Sequence, residues 1–246
     1  MTTKLDVLAI GAHPDDVELG CGGTVALLAE QGRKVGILHL TRGEAGTRGT
    51  PGQREDEARA AAEALGAVRV DFLACGDGAL RHGLEEEDQI IALLRDLRPD
   101  ILLGPTPDDR HPDHGRGHRL VADAAFYAGL AKRAPETGRA HRPGVIFSYM
   151  QHDPFEPSFV VDVSSVWDKK LASLACYPSQ LHTGRRQTGD TAGTPTKVSS
   201  PEFRAAMEGR ARHFGLTIGA EFGEPFWTKL PLSIKDPMSL LPGGIR

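Results

Sequence analysis

Apolar residues in the first half of this chain fall in short runs that alternate with longer stretches of helical period. Leu5–Ile10 is an apolar run closed by Gly11, which predicts a buried strand. Val17–Glu30 turns Val25, Leu28 and Ala29 inward and stops at Gly32, as a helix would. Val35–Leu40 predicts a second strand. Gln53–Leu65 is rich in Ala and Glu and ends at Gly66, which suits a helix with a glycine C-cap. Val68–Leu73 predicts a third strand. Glu85–Arg98 spaces Ile90, Leu93, Leu94 and Leu97 helically behind an acidic first turn, with Pro99 just beyond. Ile101–Leu103 reads as a fourth strand and His114–Leu130 as another helix. Short apolar strands separated by amphipathic helices predict an α/β chain with a mostly parallel sheet covered on both faces.

The second half is less regular. Val145–Tyr149 and Phe159–Val163 read as strands, Val166–Cys176 and Glu202–Phe214 as helices. Leu181–Pro201 is rich in Gly, Thr, Ser and basic residues. A loop of that length inside a domain is usually functional or disordered, and it is expected to cover a substrate. The tail Pro237–Arg246 is expected to be peripheral. At 246 residues the chain is expected to form one domain over 1–246. Residues 1–130 carry the regular alternation, and residues 131–246 complete the sheet and cover the substrate.

Two polar clusters interrupt this pattern. Ala12-His13-Pro14-Asp15-Asp16 follows the first strand, and His111-Pro112-Asp113-His114 follows the fourth. Ligands of parallel sheets bind at the carboxyl ends of strands, so both clusters belong on one edge. Charged groups are rarely buried unless they are paired or bind a metal. His13 and Asp16 are three residues apart, which puts both on one side of a first helical turn; His111 and His114 repeat the spacing. Neutral imidazoles and carboxylates are ordinary zinc ligands, and a catalytic zinc takes three of them and leaves a position for water. Four or five candidates are present, so at least one is spare. Asp15 adjoins a ligand and can accept a proton from water. One late histidine is a second spare, able to stabilise an oxyanion or protonate a leaving amine. The same donors suit iron(II), cobalt and manganese as well.

Gly20, Gly22 and Gly23 do not make a dinucleotide loop. They lie inside the predicted helix rather than at the strand end, and Asp15 and Asp16 would repel a pyrophosphate. They are read as allowing close packing. Arg42, Glu44, Arg48 and Arg54 follow the second strand, and Arg110 adjoins His111. Guanidiniums over a metal site suit a substrate with carboxylates. Tyr177, Ser179, Gln180 and His182 form a polar group after a later helix. Glu44, Arg54, Arg110 and Gln180 are therefore candidates for substrate contact.

The 29 basic and 33 acidic residues give a formal charge of −4, with no global attraction to nucleic acid or anionic lipid. No apolar run approaches the roughly 20 residues a bilayer needs, and no signal peptide is evident at the start. A cytoplasmic protein is expected. Cys21, Cys75 and Cys176 fit neither a disulfide framework nor a CxxC zinc motif.

With these residues assembled, the chain resembles the PIG-L/LmbE-like family of zinc-dependent N-acetylglucosaminyl deacetylases. The likeness rests on Gly11 to Gly23 and on Arg110-His111-Pro112-Asp113-His114. Leu40-Thr41-Arg42-Gly43-Glu44, Arg54 to Ala58 and Tyr177-Pro178-Ser179-Gln180 support it. Within the family it is most similar to the deacetylase of bacillithiol biosynthesis. The resemblance implies a Rossmann-like three-layer sandwich. It implies zinc on His13, Asp16 and His114, with Asp15 as general base. It implies His111 as the charged partner that stabilises the oxyanion or helps the amine leave, Asp113 as the orienter of a histidine, and Arg54 as a substrate contact. It further implies an acetylated amino-sugar conjugate as substrate, N-acetylglucosaminyl-malate first, and a homo-oligomer such as a hexamer. The rival readings are another N-acetyl sugar, from chitooligosaccharides to mycothiol-type conjugates, and a non-enzymatic metal- or nucleotide-binding module.

Overall fold

The computed structural model describes residues 4–181 and 196–237. The elements run β1 (Val7–Gly11), α1 (Asp16–Glu30), β2 (Val35–His39), α2 (Pro51–Leu65), β3 (Arg69–Phe72), α3 (Leu84–Leu97), β4 (Ile101–Gly104), α4 (Pro112–Ala128), β5 (Val145–Tyr149), β6 (Phe159–Asp162), α5 (Trp167–Ala175), α6 (Pro201–Ile218) and β7 (Gly223–Trp227). Seven strands form one sheet in the order β3-β2-β1-β4-β5-β7-β6. The first five pair in parallel; β7 runs antiparallel to β5 and β6. The chain is thus a single α/β domain with a mostly parallel sheet, as the pattern predicts.

Each central strand is apolar throughout because both of its faces are covered. Along β1, Val7 and Ala9 join one core cluster and Leu8 and Ile10 the other, the period-2 consequence of a pleated strand. The first core holds Val17 and Val25 of α1, Leu65 of α2 and Trp167 of α5. The second holds Ile90 and Leu94 of α3 with Leu120 and Val121 of α4. Among the described residues no helix is long and apolar enough to cross a membrane.

Strand order reverses beside β1: β2 lies on one flank and β4 on the other. This switch point opens a crevice at the carboxyl ends of the strands. The segments that follow β1, β3, β4 and β5 all end there.

Helix α1 is not continuous. Cys21 has φ −143° and ψ 22°, which breaks the helix under the crevice. Buried Glu224 of β7 takes the N–H groups that the break frees, Gly23 at 2.9 Å and Thr24 at 2.7 Å. Buried Lys170 of α5 pairs with Glu224 and donates to the Leu19 carbonyl at 2.9 Å. A carboxylate therefore meets the amino end of one half-helix and an ammonium the carboxyl end of the other, which is what the peptide dipoles favour. Two glycines allow the close approach. A Cβ on Gly20 would fall 2.2 Å from the Tyr149 ring, and one on Gly23 would fall 2.8 Å from Val163. The packing role read for these glycines is what the structure shows at Gly20 and Gly23.

β7 is not expected from the sequence. Gly223-Glu224-Pro225 lacks strand character, and proline is rare within sheets. The strand survives because β5 pairs only with Phe226 and Trp227, so Pro225 lies beyond that pairing. Most of the Leu181–Pro201 loop and of the tail lies outside the described residues.

Replacing Glu224 by Ala leaves Lys170 buried without its partner and two N–H groups bare. The expected cost is about 3–5 kcal/mol, read as a fall in the urea midpoint. An unchanged midpoint would show that the broken helix stands without the pair.

Candidate metal and active site

The turn after β1 sets the first half of the site. Asp15 occupies left-handed backbone, with φ 104°, and makes no capping hydrogen bond at the start of α1. Its carboxyl is buried yet uncommitted to the helix, so capping does not explain it. Asp16 instead accepts the His13 N–H on Oδ2 at 2.8 Å, and His39 of β2 contacts the His13 carbonyl at 3.1 Å. The second half comes from α4. Pro112 begins the helix and His111 caps it, its Nδ1 accepting the Asp113 N–H at 3.3 Å.

Asp16 lies between two imidazoles. Its Oδ2 is 3.5 Å from His13 Nδ1 and its Oδ1 is 3.4 Å from His114 Nε2. The outer nitrogen of each ring faces other carboxylates. His13 Nε2 lies 3.0 Å from Asp77 and 3.5 Å from Asp113, and His114 Nδ1 lies 3.3 Å from Asp109. These outer contacts are at ion-pair distance without full hydrogen-bond alignment. Carboxylates on the outer nitrogens are the usual setting of metal-bound histidine, since they leave the inner lone pair free for the metal.

His13, His111 and His114 each offer a ring nitrogen within 4.8 Å of the others, so proximity alone admits a three-histidine set. The tautomer of His111 separates it from the other two. Its Nδ1 accepts a backbone N–H, so in the neutral ring the proton sits on Nε2. In that tautomer the nitrogen facing away from the helix is a donor. His13, His114 and the carboxylate between them are the candidate donor set, with His111 a candidate hydrogen-bond donor.

The electrostatics follow from crowding these groups away from water. Burial pushes the Asp15 carboxyl up to about 7, against the pull of the Arg54 guanidinium and the two neighbouring histidines. Burial also opposes the charge on Asp16, but His114 and His13 outweigh it and hold that carboxyl well below the usual range. For His114 burial is again the opposing effect, yet Asp16 and Asp109 raise the ring to about 9. Asp113 is depressed despite its burial, by His13 and by the N–H groups of Leu80 and Gly78. Histidines and carboxylates crowded in this way form a cluster that could hold a metal ion.

The cavity over these groups has a volume of about 390 Å³, within the range of small-molecule sites. His13, Asp15, Asp16, His111 and His114 line it, as do Arg54, Arg110, Gln180 and Lys197. The expected substrate contacts divide. Arg110 is exposed at the cavity. Arg54 lines it but is buried, donating to the Pro14 carbonyl at 2.7 Å and the Gly43 carbonyl at 3.2 Å, with Asp15 3.8 Å away. Gln180 spends its amide N–H groups on the Arg48 carbonyl and Ser179. Glu44 does not line the cavity; it braces two loops by accepting the Arg42 and Asp77 N–H groups. Arg42 pairs with Glu55, and Arg48 donates to the Ser179 carbonyl. Tyr177 and Ser179 anchor to Glu18 and Glu57. His182 lies outside the described residues. The sequence pattern does not single out Asp77, Asp109, Gln151 and His152. Each sits just past a strand end, the same signal that draws attention to His111.

The sequence matches the PIG-L (GlcNAc-PI de-N-acetylase) family over residues 8–125. A diacetylchitobiose deacetylase of Thermococcus kodakarensis is 33% identical over 71% of this chain and 70% of its own length. The chain belongs to the PIG-L family. This is a family of deacetylases, hydrolases that act on amides. A 4-oxalmesaconate hydratase of Pseudomonas putida is also similar, 29% identical over 74% of this chain and 76% of its own. The conserved protein TT1542 of Thermus thermophilus superimposes with a TM-score of 0.83 at 38% identity, covering 95% of this chain and 98% of that one.

If Asp109 holds His114 for a metal, Asp109→Asn is expected to weaken zinc binding about 10–100-fold. Competition with a chromophoric chelator measures this. Affinity equal to wild type would remove Asp109 from the site.

Proposed function

We propose that the protein is a zinc-dependent deacetylase that hydrolyses the acetamide of an N-acetylglucosamine conjugate, N-acetylglucosaminyl-malate first among them. The observation that carries the reading is Asp15. It is a buried carboxyl that does not cap its helix, next in sequence to Asp16, in one cavity with His111, whose Nδ1 accepts a backbone N–H.

His13, Asp16 and His114 would hold the metal. Zinc, when bound, supplies Lewis acidity, which acidifies water and polarises an amide carbonyl. Asp15 takes the proton of the attacking water, and Arg54 beside it favours the ionised form from which it does so. His111 donates from Nε2 to the carbonyl oxygen as negative charge builds there. Its ring is only partly buried, and burial together with the nearby histidines lowers its pKa, which favours a neutral donor in place of the charged partner that the resemblance implies. The proton collected by Asp15 is the one the departing amine needs. Acetate and the free amine are the products.

The malate conjugate is favoured by exposed Arg110 and Lys197, which put two cations at the cavity with no ion-pair partner among the described residues. The three free cysteines fit the reducing cytoplasm. A homo-oligomer, as the resemblance implies, is part of the same proposal and is read by light scattering.

Acetate release from the malate conjugate, diacetylchitobiose and free N-acetylglucosamine tests the reading. The malate conjugate is expected to give the highest kcat/KM. Asp15→Ala is expected to cut kcat about 10²–10⁴-fold with zinc still bound. Near-normal turnover in that variant would reject Asp15 as the base. Failure of every amide, with water added instead to an unsaturated acid, would replace the reading with the chemistry of the hydratase relative.

A further inference from the structure

One buried side chain outside both sequence motifs reaches the central carboxylate. Gln151, two residues past the end of β5, donates its amide nitrogen to Asp16 Oδ1. The orientation of that amide follows from chemistry, because an ionised carboxylate only accepts hydrogen bonds. The amide oxygen is buried with no partner. The backbone of Gln151 is fixed from behind, where Arg210 of α6 donates to its carbonyl. The next residue, His152, gives its N–H to Asp109 at 3.2 Å, and the same Asp109 oxygen faces His114.

We propose that Gln151 is a positioning residue that fixes the Asp16 carboxylate for the metal. This rests on the metal site of the proposed function but not on its substrate. The His13 N–H bonds Oδ2 and Gln151 bonds Oδ1, so the two donors hold opposite ends of the carboxylate. The group cannot rotate about its Cβ–Cγ bond without losing a buried hydrogen bond. In that fixed pose Oδ2 faces His13 and Oδ1 faces His114. Gln151 itself has nowhere else to go: with its oxygen already unsatisfied, giving up Asp16 would strand both ends of a buried amide. The segment after β5 thus serves both halves of the site, through Gln151 to Asp16 and through the His152 N–H and Asp109 to His114.

The test is zinc affinity by chelator competition, together with the visible spectrum of the cobalt-substituted protein. Gln151→Leu removes the donor; Gln151→Met removes it while keeping the length, and serves if the Leu variant does not fold. Zinc affinity is expected to fall about 10–100-fold. The cobalt bands are expected to shift, while the metal-free variant melts near the wild-type temperature. A merely structural role would move the melting temperature and leave the cobalt spectrum alone. Unchanged affinity and an unchanged spectrum in the folded variant would overturn the proposal. Wild-type protein that binds zinc but releases no acetate would retire the deacetylase reading and leave this one standing.

Discussion

The site depends on keeping one carboxylate, Asp16, ionised away from water. Burial works against that charge, and the histidines on either side work for it. The carboxylates behind them raise the proton affinity of both rings. A divalent cation on the inner lone pairs would serve the same purpose and release protons as it binds. Asp77, Asp109 and Asp113 have a double task. They face the outer nitrogens of the two rings and would supply negative charge that favours a cation there. Asp15 is different because, among the described residues, only Arg54 and the site's own charges compensate it, and burial pushes it up to about 7.

The fold places this constraint at a sheet edge and then reinforces it from a distance. Asp16 opens α1, so the site needs that helix to start directly beneath the crevice. The helix breaks at Cys21, and the break is tolerable because Lys170 and Glu224, from the last third of the chain, satisfy its loose ends. Replacing such a pair by apolar groups often costs little, whereas losing one member leaves a stranded charge. The late elements are thus coupled energetically to the first motif, although little in their own composition announces it.

Much of this was legible in the sequence. The first four strands and helices followed from apolar runs and their period, since a sheet buried on both faces leaves a plain signal. Both motifs stood out because histidine and aspartate at strand ends have few ordinary reasons to be there. β7 was illegible because its residues serve the break in α1 and the β6 pairing rather than the rules of an isolated strand. Asp77, Asp109 and Gln151 were illegible for another reason. Single polar residues after a strand are common, and only the fold shows which of them point at a histidine or at its carboxylate partner. The guanidiniums have structural partners as well. Arg42, Arg48 and Arg54 lie on the predicted edge, but their charge is used on Glu55, on the Ser179 carbonyl and on the carbonyls of Pro14 and Gly43.

The central proposal is a donor set of two histidines and Asp16, with His111 as a hydrogen-bond donor. X-ray absorption at the zinc edge tests it most directly, because each coordinated imidazole adds a recognisable scattering pattern. The account predicts two imidazoles with the remaining donors oxygen, and the same count in a His111→Ala variant. Three imidazoles in the wild type, falling to two in that variant, would contradict it.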